Sequence, residues 1–207
     1  MERWELEQRA TAAGYTSVCG VDEAGAGPLA GPVYAAAVIL PFGLELPYLN
    51  DSKQVTPKRR DKLFDLIREK AVAWSIASVS AEEIDEIDIL NARMKAMQLA
   101  IDGLTPPADF ALIDGNRDHG SRCSLITAHE TVVKGDSRSP SIAAASILAK
   151  VSRDRYMEHL AKEYPQYRFE QHKGYGTKLH YEMLDQFGPS PVHRKTFLAK
   201  WETRRHG

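Results

Sequence analysis

Cysteine is scarce: Cys19 and Cys123, far apart in the chain, are the only two. Such a pair excludes a disulfide framework and a thiolate zinc site, and leaves buried, reduced thiols as the reading. No apolar run approaches the roughly 20 residues that span a bilayer. The opening segment MERWELEQRA mixes charges of both signs where a secretory signal would carry an apolar stretch. A cytoplasmic protein without a membrane segment is therefore expected. Internal repeats, low-complexity tracts and Pro/Ser-rich linkers are also missing, so residues 1–207 read as one domain. Net charge is nearly absent too, at −1, but it is unevenly spread. Residues 1–133 hold 13 Lys/Arg against 20 Asp/Glu, and residues 134–207 hold 14 against 8, with five of the seven histidines. A basic final third on a neutral chain can offer a local phosphate-binding face, or only solvated helix faces.

What is present alternates between strand and helix patterns. A short polar helix is predicted before Gly14, then a strand from Val18 to Val21 that stops at Asp22-Glu23-Ala24-Gly25-Ala26-Gly27-Pro28. Val33 to Leu40, bounded by prolines, reads as a buried strand. Thr56-Pro57 opens a helix with Leu63, Phe64 and Ile67 as its apolar stripe. Residues 74–79 alternate as a strand. Ser80-Ala81-Glu82-Glu83 fits a capping box before a helical pattern that runs to Leu104, broken once near Asn91. Phe110 to Ile113 and Leu125 to Val133 are predicted strands. Ser139-Pro140 starts a long helix to about Tyr164, and Thr177 to Phe187 is predicted as the last helix. The order argues for a mixed α/β sheet, with a core over about 18–163 and a helical C-terminal part over about 164–207.

Acidic residues stand where strands give way to turns: Asp22 and Glu23, Asp114, and Asp136. If those strand ends lie side by side, four carboxylates converge and repel one another unless a divalent cation sits among them. Oxygen donors without nearby His or Cys suit Mg²⁺ or Mn²⁺, and two such ions serve in-line phosphodiester displacement. Taken singly, Asp114-Gly115 and Gly135-Asp136 also read as plain turns. Neighbouring strand residues point to opposite faces, so Asp22 and Glu23 share a metal only if the glycines after them twist the chain out of register.

The segments VDEAGAGPLAGPV, LNDSKQVTPKRR, ALIDGN, VVKGDSRSPSIAAASILAKVSRDR and HKGYGT, in this order from about residue 18 to 198, resemble bacterial ribonuclease HII. The resemblance implies an RNase H-like fold, a five-stranded mixed sheet flanked by helices with a helical C-terminal extension. It implies a monomeric endoribonuclease that acts on RNA–DNA hybrids and on ribonucleotides embedded in duplex DNA. Such an enzyme cuts on the 5′ side of the ribonucleotide and leaves 3′-hydroxyl and 5′-phosphate ends. It places the acid quartet, as metal ligands and catalytic residues, on Asp22, Glu23, Asp114 and Asp136, with two Mg²⁺ or Mn²⁺ ions during catalysis. It places substrate contacts on Gly25, Ala26 and Gly27, on Lys53 and Lys134, and on Tyr175, which would stack on a sugar next to the ribonucleotide. An aromatic between glycines also reads, by itself, as an exposed stacking platform. Asp154 matches a family position and reads as structural, paired with a nearby arginine on its helix.

One departure stands out. The family pattern after the Asp-Glu pair is Gly-Arg-Gly, and this chain has Gly25-Ala26-Gly27. The backbone amides can still donate, but the guanidinium fork is gone, which implies weakened substrate positioning with metal binding intact. The missing arginine keeps a non-catalytic RNA–DNA hybrid binder as the alternative. The intact quartet speaks against it, because a pure binder gains nothing from repelling acids beside a polyanion. Only some 17 residues precede the first strand, too few for the additional N-terminal domain of ribonuclease HIII.

Overall fold

In a computed structural model, residues 4–47, 49 and 56–206 are described, the last three as backbone only. The helix α1 (Glu5–Ala12) leads into β1 (Val18–Ala24), β2 (Val33–Ile39), α2 (Pro57–Lys70) and β3 (Ala73–Val79). Next come α3 (Ala81–Ile87), α4 (Ile89–Asp102), β4 (Phe110–Asp114) and β5 (His129–Val132). The chain closes with α5 (Pro140–Glu163), α6 (Phe169–His172), α7 (Lys178–Phe187) and α8 (Lys195–His206). The five strands form one sheet in the order β3-β2-β1-β4-β5. The first three pair antiparallel, while β4 and β5 add in parallel.

The period-two pattern of β1 and β2 sorts side chains onto two cores. Cys19, Val21, Ala35 and Ala37 face α4 with its Met94, Met97 and Ile101. Ala36 and Val38 face α5 with its Ala143, Ala144 and Leu148. Helix α5 begins where Ser139 caps the amide of Ile142 and Pro140 fills the first helical position. Its backbone comes so close to β1 that a Cβ on Gly20 would stand 2.1 Å from the nitrogen of Ile142. Only glycine permits that approach, and it sets the long helix directly behind the end of β1. A third cluster joins Leu29, Met157, Tyr167, Phe169, Leu184, Leu198 and Trp201.

Four expectations are corrected. The break expected near Asn91 in the helical pattern that runs to Leu104 falls at Asp88, between α3 and α4. Asp88 takes a left-handed φ of 67°, and its carboxylate caps the amides of Leu90 and Asn91. The strand expected over Leu125–Val133 is shorter, because Leu125 and Ile126 give their amides to Asp118 and Gln98 and parallel pairing with β4 starts only at His129. The helix ending at Phe187 is not the last: α8 follows, its first amides capped by the carboxylate of Asp85. The first strand also runs on through Asp22 and Glu23 to Ala24, paired throughout with β2. No helix among the described residues is long and apolar enough to cross a membrane.

Candidate active site at the β1–β4 split

Parallel pairing of β1 with β4 ends at Val21 and Ile113. The next residue on each strand is an aspartate, so Asp22 and Asp114 stand at the point where the two strands part. Here lies an open cavity of about 450 Å³, and the four sequence-predicted acids Asp22, Glu23, Asp114 and Asp136 all line it. The pleat puts Asp22 on the α5 face with Gly20, and Asp114 on that same face with Leu112. Glu23 follows Val21 on the opposite face. Both members of the Asp22-Glu23 pair line one cavity while the β1–β2 register stays regular through Ala24.

Asp136 arrives differently. It lies in a single 3₁₀ turn, Gly135–Ser137, tied to β4 by the carboxylate of Asp114. Oδ1 of Asp114 accepts the amide of Gly135 at 2.7 Å and that of Asp136 at 3.4 Å. Lys134, at a left-handed φ of 54°, immediately precedes this turn, exposed and outside the cavity lining. Lys53 lies outside the described residues.

The electrostatics are those of crowded acids. Burial raises the pKa of Asp22 well above the ordinary carboxylate value, and the neighbouring charges of Glu23, Asp114 and Asp136 raise it further. Burial also raises Glu23, against the opposing pull of Arg93 on α4, whose guanidinium stands 2.5 Å from its carboxylate. As they stand, no three His, Cys, Asp or Glu side chains among the described residues are grouped tightly enough to hold a metal. The donor chemistry nevertheless fits a hard divalent cation: four carboxylates bear on one cavity, and the charges of three of them raise the pKa of the fourth, Asp22. As they stand, three of them are held by other partners, Glu23 by Arg93, and Asp22 and Asp114 by main-chain amides.

Gly25, Ala26, Gly27 and Tyr175 line the same cavity as the acids. The Tyr175 ring is 43% exposed, with the Lys150 ammonium 5.9 Å and the Arg153 guanidinium 5.6 Å from its centre. It lies over α5 and lines the cavity. Its main chain is held by histidines. The amide of Ser190 donates to Nδ1 of His193, so the proton of that ring is on Nε2, which meets Nε2 of His180 at 2.9 Å. His180 therefore carries its proton on Nδ1 and donates to the carbonyl of Tyr175 at 2.9 Å. Burial, helped by the charge of a neighbouring histidine, lowers the pKa of His180 to about 4 and of His193 to about 3.

Several residues beside the cavity escaped sequence reasoning. Arg60 and Lys150 line it and share one partner, Asp154, at 3.8 and 2.8 Å. Asp154 thus binds Lys150 of its own helix and an arginine of α2, not an arginine beside it in sequence. Only the i to i+4 spacing of Lys150 and Asp154 was a usable signal. Arg93 and Arg194 gave none, since each meets the site from a distant helix or turn.

Known proteins share this arrangement of chain and fold. The family model described as Ribonuclease HII matches residues 19–203. A ribonuclease HII from Geobacter sulfurreducens is 52% identical over 194 residues, which make up 94% of this chain and 88% of the relative. One from Endomicrobium trichonymphae is 55% identical over 185 residues, 89% of this chain and 86% of the relative. The crystal structure of ribonuclease H2 from Pyrococcus horikoshii superposes with a TM-score of 0.74 at 26% identity, covering 92% of this chain and 99% of that one. A structure of the PCNA:RNase HII complex from Archaeoglobus fulgidus gives 0.73 at 26% identity, covering 87% and 94%. A five-stranded mixed sheet with this strand order, acids gathered at its central split, and identity near one half over almost the whole length lead to one conclusion: the chain belongs to the ribonuclease HII family and is a ribonuclease H enzyme.

Proposed function

We propose that this chain hydrolyses the RNA strand of RNA–DNA hybrids and cuts duplex DNA on the 5′ side of an embedded ribonucleotide, leaving 3′-hydroxyl and 5′-phosphate ends. The observation that carries the reading is the cavity itself. Acids from three separate stretches, Asp22 with Glu23, Asp114, and Asp136, line it together with the Gly25-Ala26-Gly27 segment and the exposed Tyr175. A non-catalytic hybrid binder is set aside by membership in a family of ribonucleases.

Asp22, Glu23, Asp114 and Asp136 would hold divalent Mg²⁺ or Mn²⁺, two ions during catalysis. Such ions, when bound, neutralise the charge of the attacked phosphodiester and favour attack by water in line with the leaving 3′-oxygen. The chain's own part is to gather and orient. Asp22 and Asp114 present their carboxylates from one face of the sheet and Glu23 from the other, so the scissile phosphate is approached from two sides. The amides along Gly25, Ala26 and Gly27 offer donors to the 2′-hydroxyl and junction phosphate. Tyr175 offers a ring for the adjoining sugar, and Lys53, Lys134 and the cavity's Lys150 and Arg60 supply cations for the backbone phosphates.

The test is cleavage of a DNA duplex carrying one ribonucleotide, assayed with Mg²⁺, with Mn²⁺ and with chelator. Metal-dependent nicking on the 5′ side of the ribonucleotide, with a 5′-phosphate on the released end, is expected. Cleavage that persists in chelator, or none with either metal, overturns the reading.

A further inference from the structure

We propose that Arg194, from the turn before α8, is a positioning residue for the substrate-reading segment Gly25-Ala26-Gly27. Its side chain would hold the amides of Ala26 and Gly27 as a two-donor site for an oxygen of the ribonucleotide junction. The inference rests on the proposed nuclease function of the cavity and names a part of it that the acids and Tyr175 do not explain.

Arg194 is fully buried, yet its hydrogen bonds go to no carboxylate. Its donors are spent on three main-chain carbonyls: Nε on Gly31 at 2.9 Å, Nη1 on Ala26 at 3.0 Å and Nη2 on Gly25 at 2.6 Å. Burying a guanidinium with no carboxylate in hydrogen-bond contact, Asp85 acting on it only through its charge, is costly, and a fold that needed only packing there would be better served by an apolar side chain. What the placement achieves is orientation. In a trans peptide the C=O and N–H point in opposite directions. With the carbonyls of Gly25 and Ala26 drawn inward to Arg194, the amides of the same two peptide units, those of Ala26 and Gly27, face the other way. Both residues line the cavity, and neither amide has a hydrogen-bond partner among the described residues. The turn depends on Gly25, at φ 94°, where a Cβ would also strike Arg153 at 2.0 Å.

The anchorage is shared with Tyr175. Residues 192–194 lie antiparallel to residues 29–31 through an isolated bridge between Ala30 and His193, with the amide of Arg194 on the carbonyl of Leu29 and that of Gly31 on the carbonyl of Val192. Neighbouring side chains on such a segment diverge. Arg194 goes to the Gly25-Ala26 turn, and His193 goes through His180 to the carbonyl of Tyr175. One dipeptide therefore sets the spacing of the two elements that would grip the nucleotide. A guanidinium behind residue 26 also keeps positive charge near a position whose own side chain, alanine, supplies none.

The experiment compares wild type with Arg194→Lys, which keeps the charge but cannot bridge three carbonyls. KM and kcat are measured on a duplex with one ribonucleotide and on a continuous hybrid. Anisotropy in chelator then measures binding of the single-ribonucleotide duplex and of its all-DNA counterpart. Expected for the variant is a KM raised about tenfold or more on the single-ribonucleotide duplex, at little change in kcat or in the Mg²⁺ activation midpoint. Weakened binding of the ribonucleotide duplex alone identifies the 2′-hydroxyl as the bound oxygen, and equal weakening of both duplexes identifies the phosphate; either supports the proposal. A variant that matches wild type in KM and binding overturns it, as does one whose metal midpoint shifts together with KM. Amide hydrogen exchange on the wild type needs no variant: Ala26 and Gly27 should be protected by the single-ribonucleotide duplex, and unchanged exchange also overturns the proposal. A wild type that cleaves neither substrate removes the nuclease reading, and this inference with it, whereas wild-type cleavage with an unaffected variant removes the inference alone.

Discussion

Glu23 and Arg93 meet at 2.5 Å on the face of the sheet away from Asp22, so the one acid that enters the cavity from the α4 side is held by a cation from α4. A carboxylate bound to a guanidinium must give up part of that interaction to bind a metal. The Nε of Arg93 is itself buried without a hydrogen-bond partner among the described residues, which leaves the pair as the main compensation for its burial. Arg93→Gln is expected to lower the stability of the metal-free protein by about 2 kcal/mol and to shift the Mg²⁺ activation midpoint to lower concentration. Urea denaturation in chelator and a metal titration of activity check both; a midpoint shifted upward means that Arg93 orients Glu23 in the loaded enzyme instead of competing for it.

Asp22 illustrates a conflict between stability and function. Its pKa is raised in the fold, first by burial and then by three acidic neighbours. An acid with a raised folded pKa destabilises the native state as pH rises above its unfolded value, so at neutral pH the metal-free protein bears that cost. Asp22→Asn keeps an oxygen for the Glu23 amide that Asp22 now accepts at 2.7 Å. The variant should melt at a higher temperature than wild type in chelator, by an amount worth about 1–2 kcal/mol, while losing cleavage. Calorimetry with and without Mg²⁺ tests this: wild type should gain stability from the metal and the variant should gain much less.

Ala26 lines the cavity at intermediate burial, with room to extend toward substrate. Ala26→Arg restores a planar fork of donors suited to phosphate. KM for a single embedded ribonucleotide should fall about tenfold with kcat nearly constant. Equal KM values for the two proteins would show that the guanidinium is dispensable here.

Tyr175→Ala removes the exposed ring that Lys150 and Arg153 flank. Base or sugar contacts with such a ring are worth about 1–3 kcal/mol, so KM should rise about tenfold or more. Tyr175→Phe should recover most of the loss. A Phe variant as poor as the Ala variant would point to the hydroxyl rather than the ring.

The paired histidines predict an acid-sensitive fold. His180 and His193 are held neutral, with pKa values near 4 and 3 against an ordinary 6.5. For a lowered folded pKa, the stability is complete above about pH 6.5 and is lost as pH falls toward the folded values, because the unfolded chain takes up protons that the native pair refuses. Between pH 7 and 5 the loss should be about 2 kcal/mol for each histidine. Urea midpoints at the two pH values measure it, and a double substitution to Asn should flatten the difference.

Much of this was legible before any coordinates. Proline and hydroxyl caps marked the starts of α2 and α5, and the apolar run at residues 33–40 and the alternation at 74–79 marked β2 and β3, because local geometry and burial patterns are written residue by residue. The left-handed break at Asp88 was harder, since an aspartate inside an apolar helical pattern looks like any solvated position. The strand at 125 was overread because its apolar residues are satisfied by side-chain and loop partners rather than by a neighbouring strand. Helix α8 was missed because charged and aromatic residues obscure its repeat.

For the site, the sequence by itself determined the chemistry on offer: four acids at strand ends, glycines flanking Ala26, and an aromatic between glycines. It could not determine who stands beside whom. That Glu23 faces Arg93, that Asp154 gathers Lys150 and Arg60, and that Arg194 reaches back to the carbonyls of Gly25 and Ala26 were decided only in three dimensions. The reason is physical: a hydrogen bond or ion pair between distant segments leaves no periodic trace in the chain, and it exists only once the sheet order and helix packing have brought those segments together.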